Sequence, residues 1–287
     1  MNQGQPLTLK LDNVQLSQVQ LEQYRRDGHL VVPQVLLPTE VIAARPALMA
    51  TANREREKLS NYERSVGASG SQFIYDLREI DPVVWQFIAS PRLAQVAAEL
   101  LETDRIRILH YNCFFKPAGG RGTAWHQDYL YIPLEAEKLI TAWVPLVNLT
   151  AEMGLLTLAS GSHRCKTADL ATANQYSQGD LEQMLSEQGL QLTTVGNLAV
   201  GDVSFHSSLT LHGAPPNRSH QMRAVVAVSY YADEARIQDP EDYQLNSPGT
   251  LQSIAYRQHF LREYFPHLKP GDLAHTSDHP IVYQRMN

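Results

Sequence analysis

The sequence predicts a mainly β protein with helices: a sandwich or barrel of strands behind an N-terminal helical layer. Three observations predict it. Helix signals crowd the first hundred residues, strand-like runs follow Thr103, and Gly, Pro and Asn mark the turns between those runs. With 287 residues, 43% of them hydrophobic, the chain can bury the core of one large domain. Within a single domain spanning 1–287 we expect a helical layer over 1–103, a β core over 104–232 and an extension over 233–287.

The elements follow in order. Ser17 is placed to cap a first helix, VQLEQYRRD, which Gly28 stops. HLVVPQVLLP reads as a strand-like turn leading to Thr39, the expected cap of a second helix through Glu40 and Ile42 to Met49. Ser90-Pro91 opens a third, with Leu93, Val96, Ala97 and Leu100 on one face. From Arg105 to Lys116 the period of two puts Ile106, Ile108, His110, Asn112 and Phe114 on one side, and Leu109, Tyr111, Cys113 and Phe115 on the other. Further strands are expected over 142–149, 155–159, 203–205 and 222–231. A helical or irregular insertion is expected over 169–189, and a helix around 251–264.

Composition excludes several function classes. Twenty-four Lys+Arg against 30 Asp+Glu give a net charge of −6, with no block of basic residues to attract a phosphate backbone, so no nucleic-acid partner is expected. No apolar stretch approaches the roughly 18–20 residues that span a bilayer, so no membrane partner is expected either. The N-terminus lacks the pattern of a secretory signal, and a cytoplasmic location is expected. Two cysteines, Cys113 and Cys165, cannot supply a disulfide framework or a cysteine zinc site. Gly119-Gly120-Arg121-Gly122 lacks the Lys-Ser/Thr ending of a phosphate cradle and reads as a flexible loop.

Chemistry concentrates in a few residues. His126 and Asp128 stand two apart, so an extended backbone points imidazole and carboxylate to the same side. His212 follows 84 residues after Asp128, just before Gly213. Two histidines and one carboxylate form the facial triad of non-heme Fe(II) oxygenases, which leaves coordination positions open for a cosubstrate and O2. Arg223, eleven residues after His212, carries a planar fork suited to the far carboxylate of a dicarboxylic acid. His206 is a rival ligand or else a packed residue beside the site. His110 and Asn112 either donate to a bound carboxylate or are satisfied polar groups in the barrel. Trp125, Tyr129 and Tyr131 offer an apolar wall with polar tips for a substrate, or are ordinary core or lid aromatics.

In order along the chain, LEQYRRDGHLVVPQVLLPTEV, FFKPAGGRGTAWHQD, TAWVPLVNLTAEMGLLTLASGSH, GDVSFHSSLTLHGAPPNRS and QMRAVV resemble the phytanoyl-CoA dioxygenase family of Fe(II)- and 2-oxoglutarate-dependent oxygenases. The resemblance implies a double-stranded β-helix, a cupin-like jelly-roll. It implies Fe(II), 2-oxoglutarate and O2 as cofactors, and a small molecule as substrate. By resemblance His126, Asp128 and His212 match the iron ligands, Arg223 the anchor of the cosubstrate's far carboxylate, and Trp143 an aromatic of the same pocket. Phe73, Tyr75 and Arg78 fall in the layer that covers the barrel mouth in relatives, where an arginine holds an acidic substrate or forms a surface salt bridge. The chain departs from the family at Ala214, where a serine is common, leaving Thr141 or a tyrosine to replace its hydroxyl. Asp128 is retained, which disfavours halogenation. Two rival readings use the same ligands: a cupin-type isomerase or hydrolase without 2-oxoglutarate, and a non-catalytic metal-binding protein. Hydroxylation, desaturation, cyclisation and demethylation share the family's first steps.

Overall fold

The computed structural model describes residues 14–58, 74–75, 77, 80–165, 178–241 and 248–286. Helix α1 (Gln18–Asp27) begins at a capping box in which Ser17 and Gln20 each satisfy the other's backbone N–H. It ends at Gly28, whose φ of +76° places it in the left-handed region. A Cβ there would lie 2.3 Å from His163 Nδ1, so the turn requires glycine for space as well as conformation. Strand β1 (His29–Val32) leads to α2 (Pro38–Lys58). The expected cap and length of α2 are corrected: Thr39 lies inside the helix, Glu40 accepts from the Leu37 N–H at 2.8 Å, and the helix continues past Pro46 and Met49. Pro46 falls in the third turn, where packing of Val41, Ala44, Leu48 and Ala52 into the core outweighs the local cost of proline.

After β2 (Ile74–Tyr75) comes a short helix that the sequence reading passed over, α3 (Pro82–Ile88). Asp81 caps it and Pro82 occupies its first turn. Helix α4 (Pro91–Leu100) starts where Ser90-Pro91 placed it, although the Ser90 hydroxyl makes no capping bond. The strands follow: β3 (Arg105–Lys116), β4 (Thr123–His126), β5 (Leu139–Pro145) and β6 (Thr157–Ser160). Then come α5 (Gln178–Glu187), β7 (Gln191–Thr194), β8 (Val203–Ser207), β9 (His212–Ala214), β10 (Arg223–Ala232), α6 (Pro248–Tyr264) and β11 (Ile281–Gln284).

Two antiparallel sheets result, one in the order β1-β8-β5-β10-β3-β11 with β2 also on β3, the other β4-β9-β6-β7. The outer face of the large sheet packs Ile140, Ala142, Val144, Phe205, Val226, Val228 and Tyr230 against the N-terminal helices, forming the main core. Its inner face meets the small sheet through Trp143, Val225 and Ala227 on one side and Leu156 and Leu158 on the other. This is the jelly-roll expected.

One register differs from the alternation read off the sequence. Ser229 pairs with His110 and Tyr230 with Ile108, leaving Leu109 as a bulge. The extra residue exchanges the faces, so Ile106 and Ile108 join Tyr111 and Cys113 in the main core rather than sharing a side with His110. Leu109 packs instead with Leu139, Tyr231, Phe260 and Phe265 of the C-terminal region. Neither Cys113 nor Cys165 is in a disulfide. No helix among the described residues is long and apolar enough to cross a membrane. The glycine loop after β3 is tied down, with the Gly119 N–H donating to Asn217 O at 3.0 Å.

Candidate metal centre

The large sheet presents a row of polar side chains on its inner face. Cross-strand pairing sets His29 opposite His206, His206 opposite Thr141, Thr141 opposite Ser229, and Ser229 opposite His110. The small sheet faces this row with His126 and His212, the ends of β4 and β9, which pair with each other. Asp128 opens the first of the two 3-10 turns between β4 and β5. The Tyr129 N–H donates to Ser208 O at 3.2 Å, pinning this turn to the chain between β8 and β9.

One candidate donor atom each from His126, Asp128 and His212 lies within 4.8 Å of the others. Asp128 Oδ1 sits 3.6 Å from Nε2 of both His126 and His212. The opposite ring nitrogens are committed: His126 Nδ1 is 2.8 Å from Ala124 O and His212 Nδ1 2.8 Å from Thr210 O. A carbonyl only accepts, so each Nδ1 carries a proton, the tautomer that in a neutral ring leaves the Nε2 lone pair for a metal. Burial, followed by the charge of His126, pushes His212 down to about 3, so its ring is neutral at pH 7. Burial opposes ionisation of Asp128, but the nearby imidazoles of His212, then His206, then His126, outweigh it and hold its carboxyl below the usual range. A neutral imidazole and an ionised carboxylate are the protonation states a metal requires.

The second carboxylate oxygen is occupied differently. Thr141 donates its hydroxyl to Asp128 Oδ2 at 2.9 Å and lies 3.3 Å from Ser229 Oγ. Its one proton is thereby directed to the aspartate.

Two positions along β5 from Thr141, roughly 7 Å at the usual rise of a strand, Trp143 lies with its ring centroid 5.6 Å from the Arg223 guanidinium. Arg223 is buried. It donates from Nη1 to Gly154 O, and its Nε has no partner. Burial pushes it down to about 10, which leaves it charged at pH 7. Lys116, its cross-strand neighbour, is also buried and donates to Pro215 O at 3.0 Å. Burial, followed by the charge of Arg223, pushes Lys116 down to about 7. Among the described residues no carboxylate lies within ion-pair distance of either cation, an arrangement that suits an anionic ligand.

The remaining expected site residues divide. His110 is buried with Nδ1 unpartnered, pushed down to about 4 by burial against the pull of Asp128, and Asn112 Oδ1 is likewise unpartnered. Tyr131 stands by the triad, its ring 6.3 Å from His126 and 5.6 Å edge-on from Tyr256 of α6. Burial, then Asp128 and Tyr256, raise its hydroxyl, which keeps its proton. Tyr129 accepts at its backbone oxygen from Arg257 at 3.4 Å. Trp125 packs against the cluster of Ala159, Leu181, Leu185 and Leu211. Arg78 and Phe73 lie outside the described residues, and only the backbone of Tyr75, paired with Tyr111, is described. Ser229 and Tyr256 were missed. Ser229 could have been found as the polar residue in step with Arg223, Val225 and Ala227, whereas nothing in the sequence points to Tyr256.

The model of the phytanoyl-CoA dioxygenase family matches residues 24–225, from the end of α1 into β10 and across all three candidate ligands. The chain belongs to this family. Members of the phytanoyl-CoA dioxygenase family are Fe(II)- and 2-oxoglutarate-dependent oxygenases, and the chain is an enzyme of that class. It is similar to the ectoine dioxygenase of Bordetella bronchiseptica, 27% identical over 265 residues, covering 85% of this chain and 84% of the relative. A probable alpha-ketoglutarate-dependent hypophosphite dioxygenase of Stutzerimonas stutzeri is 28% identical over 138 residues, 46% of this chain and 47% of the relative. Among solved structures, the alpha ketoglutarate dependent epimerase SnoN from nogalamycin biosynthesis superposes with a TM-score of 0.67 at 22% identity, covering 93% of this chain and 96% of that one. EctD from S. alaskensis, crystallised with 2-oxoglutarate and 5-hydroxyectoine, gives 0.60 at 22%, covering 82% and 83%. At these identities the structures show the shared fold.

Proposed function

We propose that this chain oxidises an unactivated C–H bond of a small metabolite, as a hydroxylase, while 2-oxoglutarate is converted to succinate and CO2. The observation that carries this reading is the meeting of His126, Asp128 and His212 around one point, together with a buried arginine that has no carboxylate partner among the described residues. In this reading 1–287 is one catalytic domain. His126 and His212 hold Fe(II) through Nε2 and Asp128 through a carboxylate oxygen, leaving room for the keto acid and O2. When bound, iron with its cosubstrate supplies the oxidising power, chemistry that no side chain of the chain provides.

The protein's part is binding and orientation. Arg223 offers charge and N–H donors to the far carboxylate of 2-oxoglutarate, and Trp143, under the guanidinium, shapes the same pocket. Asn112 and His110 add polar atoms on the same inner face. Tyr131, with its proton retained, donates to a substrate, and Tyr129 and Tyr256 extend the aromatic surround. A neutral His212 and an ionised Asp128 mean that neither of these two ligands must lose a proton when the metal arrives.

The experiment is to load the protein with Fe(II) and 2-oxoglutarate without O2, admit O2, and follow succinate across pools of metabolites. Substrate-stimulated, O2-dependent succinate release supports the reading, and a product that gains one oxygen identifies hydroxylation. A product that loses two hydrogens instead indicates desaturation or ring closure. Turnover of a substrate without 2-oxoglutarate would replace the proposal with an isomerase or hydrolase.

A further inference from the structure

His206 is deeply buried, and neither of its ring nitrogens makes a hydrogen bond. A buried imidazole left in that condition is uncommon, and its surroundings indicate its use. It projects from the inner face of β8, opposite Thr141 on one side and His29 on the other. Its Nε2 lies 3.4 Å from Asp128 Oδ2, and its ring centroid is 4.5 Å from that of His212. The two oxygens of Asp128 are thus surrounded differently. Oδ1 faces His126 and His212, while Oδ2 faces Thr141 and His206.

From this asymmetry we propose that His206 is a positioning residue that donates from Nε2–H to Asp128 Oδ2. With the Thr141 hydroxyl it fixes the carboxylate so that Oδ1 alone turns to the metal. The inference rests on the triad being the iron site. The contact of 3.4 Å is at the long end for such a bond, and a small rotation of either group closes it. A fourth-ligand role for His206 fits less well, because its nitrogen approaches the oxygen that points away from the two other imidazoles. Four protein ligands would also leave too few positions on an octahedral ion for a chelating keto acid and O2. Two donors on one oxygen keep the carboxylate from swinging to bind through both oxygens, which would likewise consume an open position.

The test is titration of the chelator-stripped protein with Co(II), read by the visible absorption of the bound ion, for wild type, His206→Phe, His206→Gln and Thr141→Val. Phe fills the space without a donor, whereas the Gln amide nitrogen falls near the place of Nε2. Expected are a 10–100-fold loss of Co(II) affinity in His206→Phe, near wild-type affinity in His206→Gln, and an unchanged band shape in both. Thr141→Val should also weaken binding, and the double variant should lose less than the product of the two single losses, because both donors act on one oxygen. Thermal melting of each variant identifies any that has not folded, and Thr141→Val tests the same clamp from a different strand. Co(II) affinity in folded His206→Phe equal to wild type would overturn the proposal. So would a band shift in both His206 variants that marks a lost nitrogen ligand. Failure of the underlying site looks different: His126→Ala and His212→Ala would then bind Co(II) as well as wild type.

Discussion

The two faces of the large sheet are made by the same strands and behave in opposite ways. The outer face is aliphatic and aromatic, and Tyr230, one of its tyrosines, donates its hydroxyl to Ile88 O at 2.6 Å. The inner face carries His110, Asn112, Ser204, His206 and Arg223, each with a buried nitrogen or oxygen that lacks a protein partner. Such atoms cost free energy, about 1–3 kcal/mol each when nothing meets them. The contrast separates two tasks. One face stabilises the fold, and the other is arranged for molecules that are not part of the chain.

The largest effect that tests this division is at the ligands. Asp128→Ala or His212→Ala should abolish substrate-stimulated succinate release and metal uptake while the thermal midpoint of the metal-free protein changes little, since neither side chain packs in the main core. A large fall in that midpoint would show that the inner face also carries stability. The opposite outcome is expected at Ile106, which the bulge at Leu109 turns onto the outer face. Ile106→Ala should cost about 2–5 kcal/mol in urea unfolding, with turnover per folded molecule intact.

That bulge also shows how far the sequence could be read. The triad was legible because His126 and Asp128 are close in sequence and His212 and Arg223 open two strands that follow one another along the chain, so local spacing carried the information. Arg105–Lys116 was legible as a strand for the same reason. Its faces were not, because inserting Leu109 against β10 is a property of pairing, invisible in a single strand's alternation. The hydrogen bond from Thr141 to Asp128, thirteen residues earlier, was not legible either, because it depends on how the turn after β4 folds onto β5. Tyr256 reaches the site only through the docking of α6 by Phe260 into the cluster around Leu109, Leu139 and Tyr231, a contact that no motif announces. Thr39 resembled a cap, but Pro38, with its φ already fixed, can start the helix one residue earlier.

A pH titration should distinguish the faces next. Inner-face His110 is pushed down to about 4 by burial, while the unfolded chain holds it near the usual value of about 6.5. Between those values the unfolded state binds the extra proton, so stability is complete above the upper value and falls as pH drops towards the lower one. The loss should approach about 3 kcal/mol at most for this group, measured on metal-free protein by the urea midpoint. His110→Gln should remove that part of the slope, whereas Ile106→Ala should lower the whole curve without changing its shape.

Smaller effects sharpen the contrast at the cosubstrate end. Arg223→Lys keeps a positive charge but loses the planar fork, so the KM for 2-oxoglutarate should rise about tenfold, roughly 1.4 kcal/mol, with kcat nearly preserved. An equal fall in kcat and no change in KM would move Arg223 from binding the cosubstrate to shaping the reacting centre.

The smallest effect carries the most informative sign. Asn112 Oδ1 has no partner, and the side chain is only half-buried beside Phe114 and Ala227. Asn112→Leu removes an unsatisfied amide oxygen without opening a cavity, so stability should stay level or rise by up to about 1 kcal/mol, read as a higher thermal midpoint. The same substitution should weaken 2-oxoglutarate binding, measured by calorimetry on metal-loaded protein without O2. A residue that stabilises when it is lost and impairs ligand binding at the same time is held in place by function. If Asn112→Leu instead lowered the midpoint and left binding untouched, its amide would belong to the fold and the inner face would not be a single functional surface.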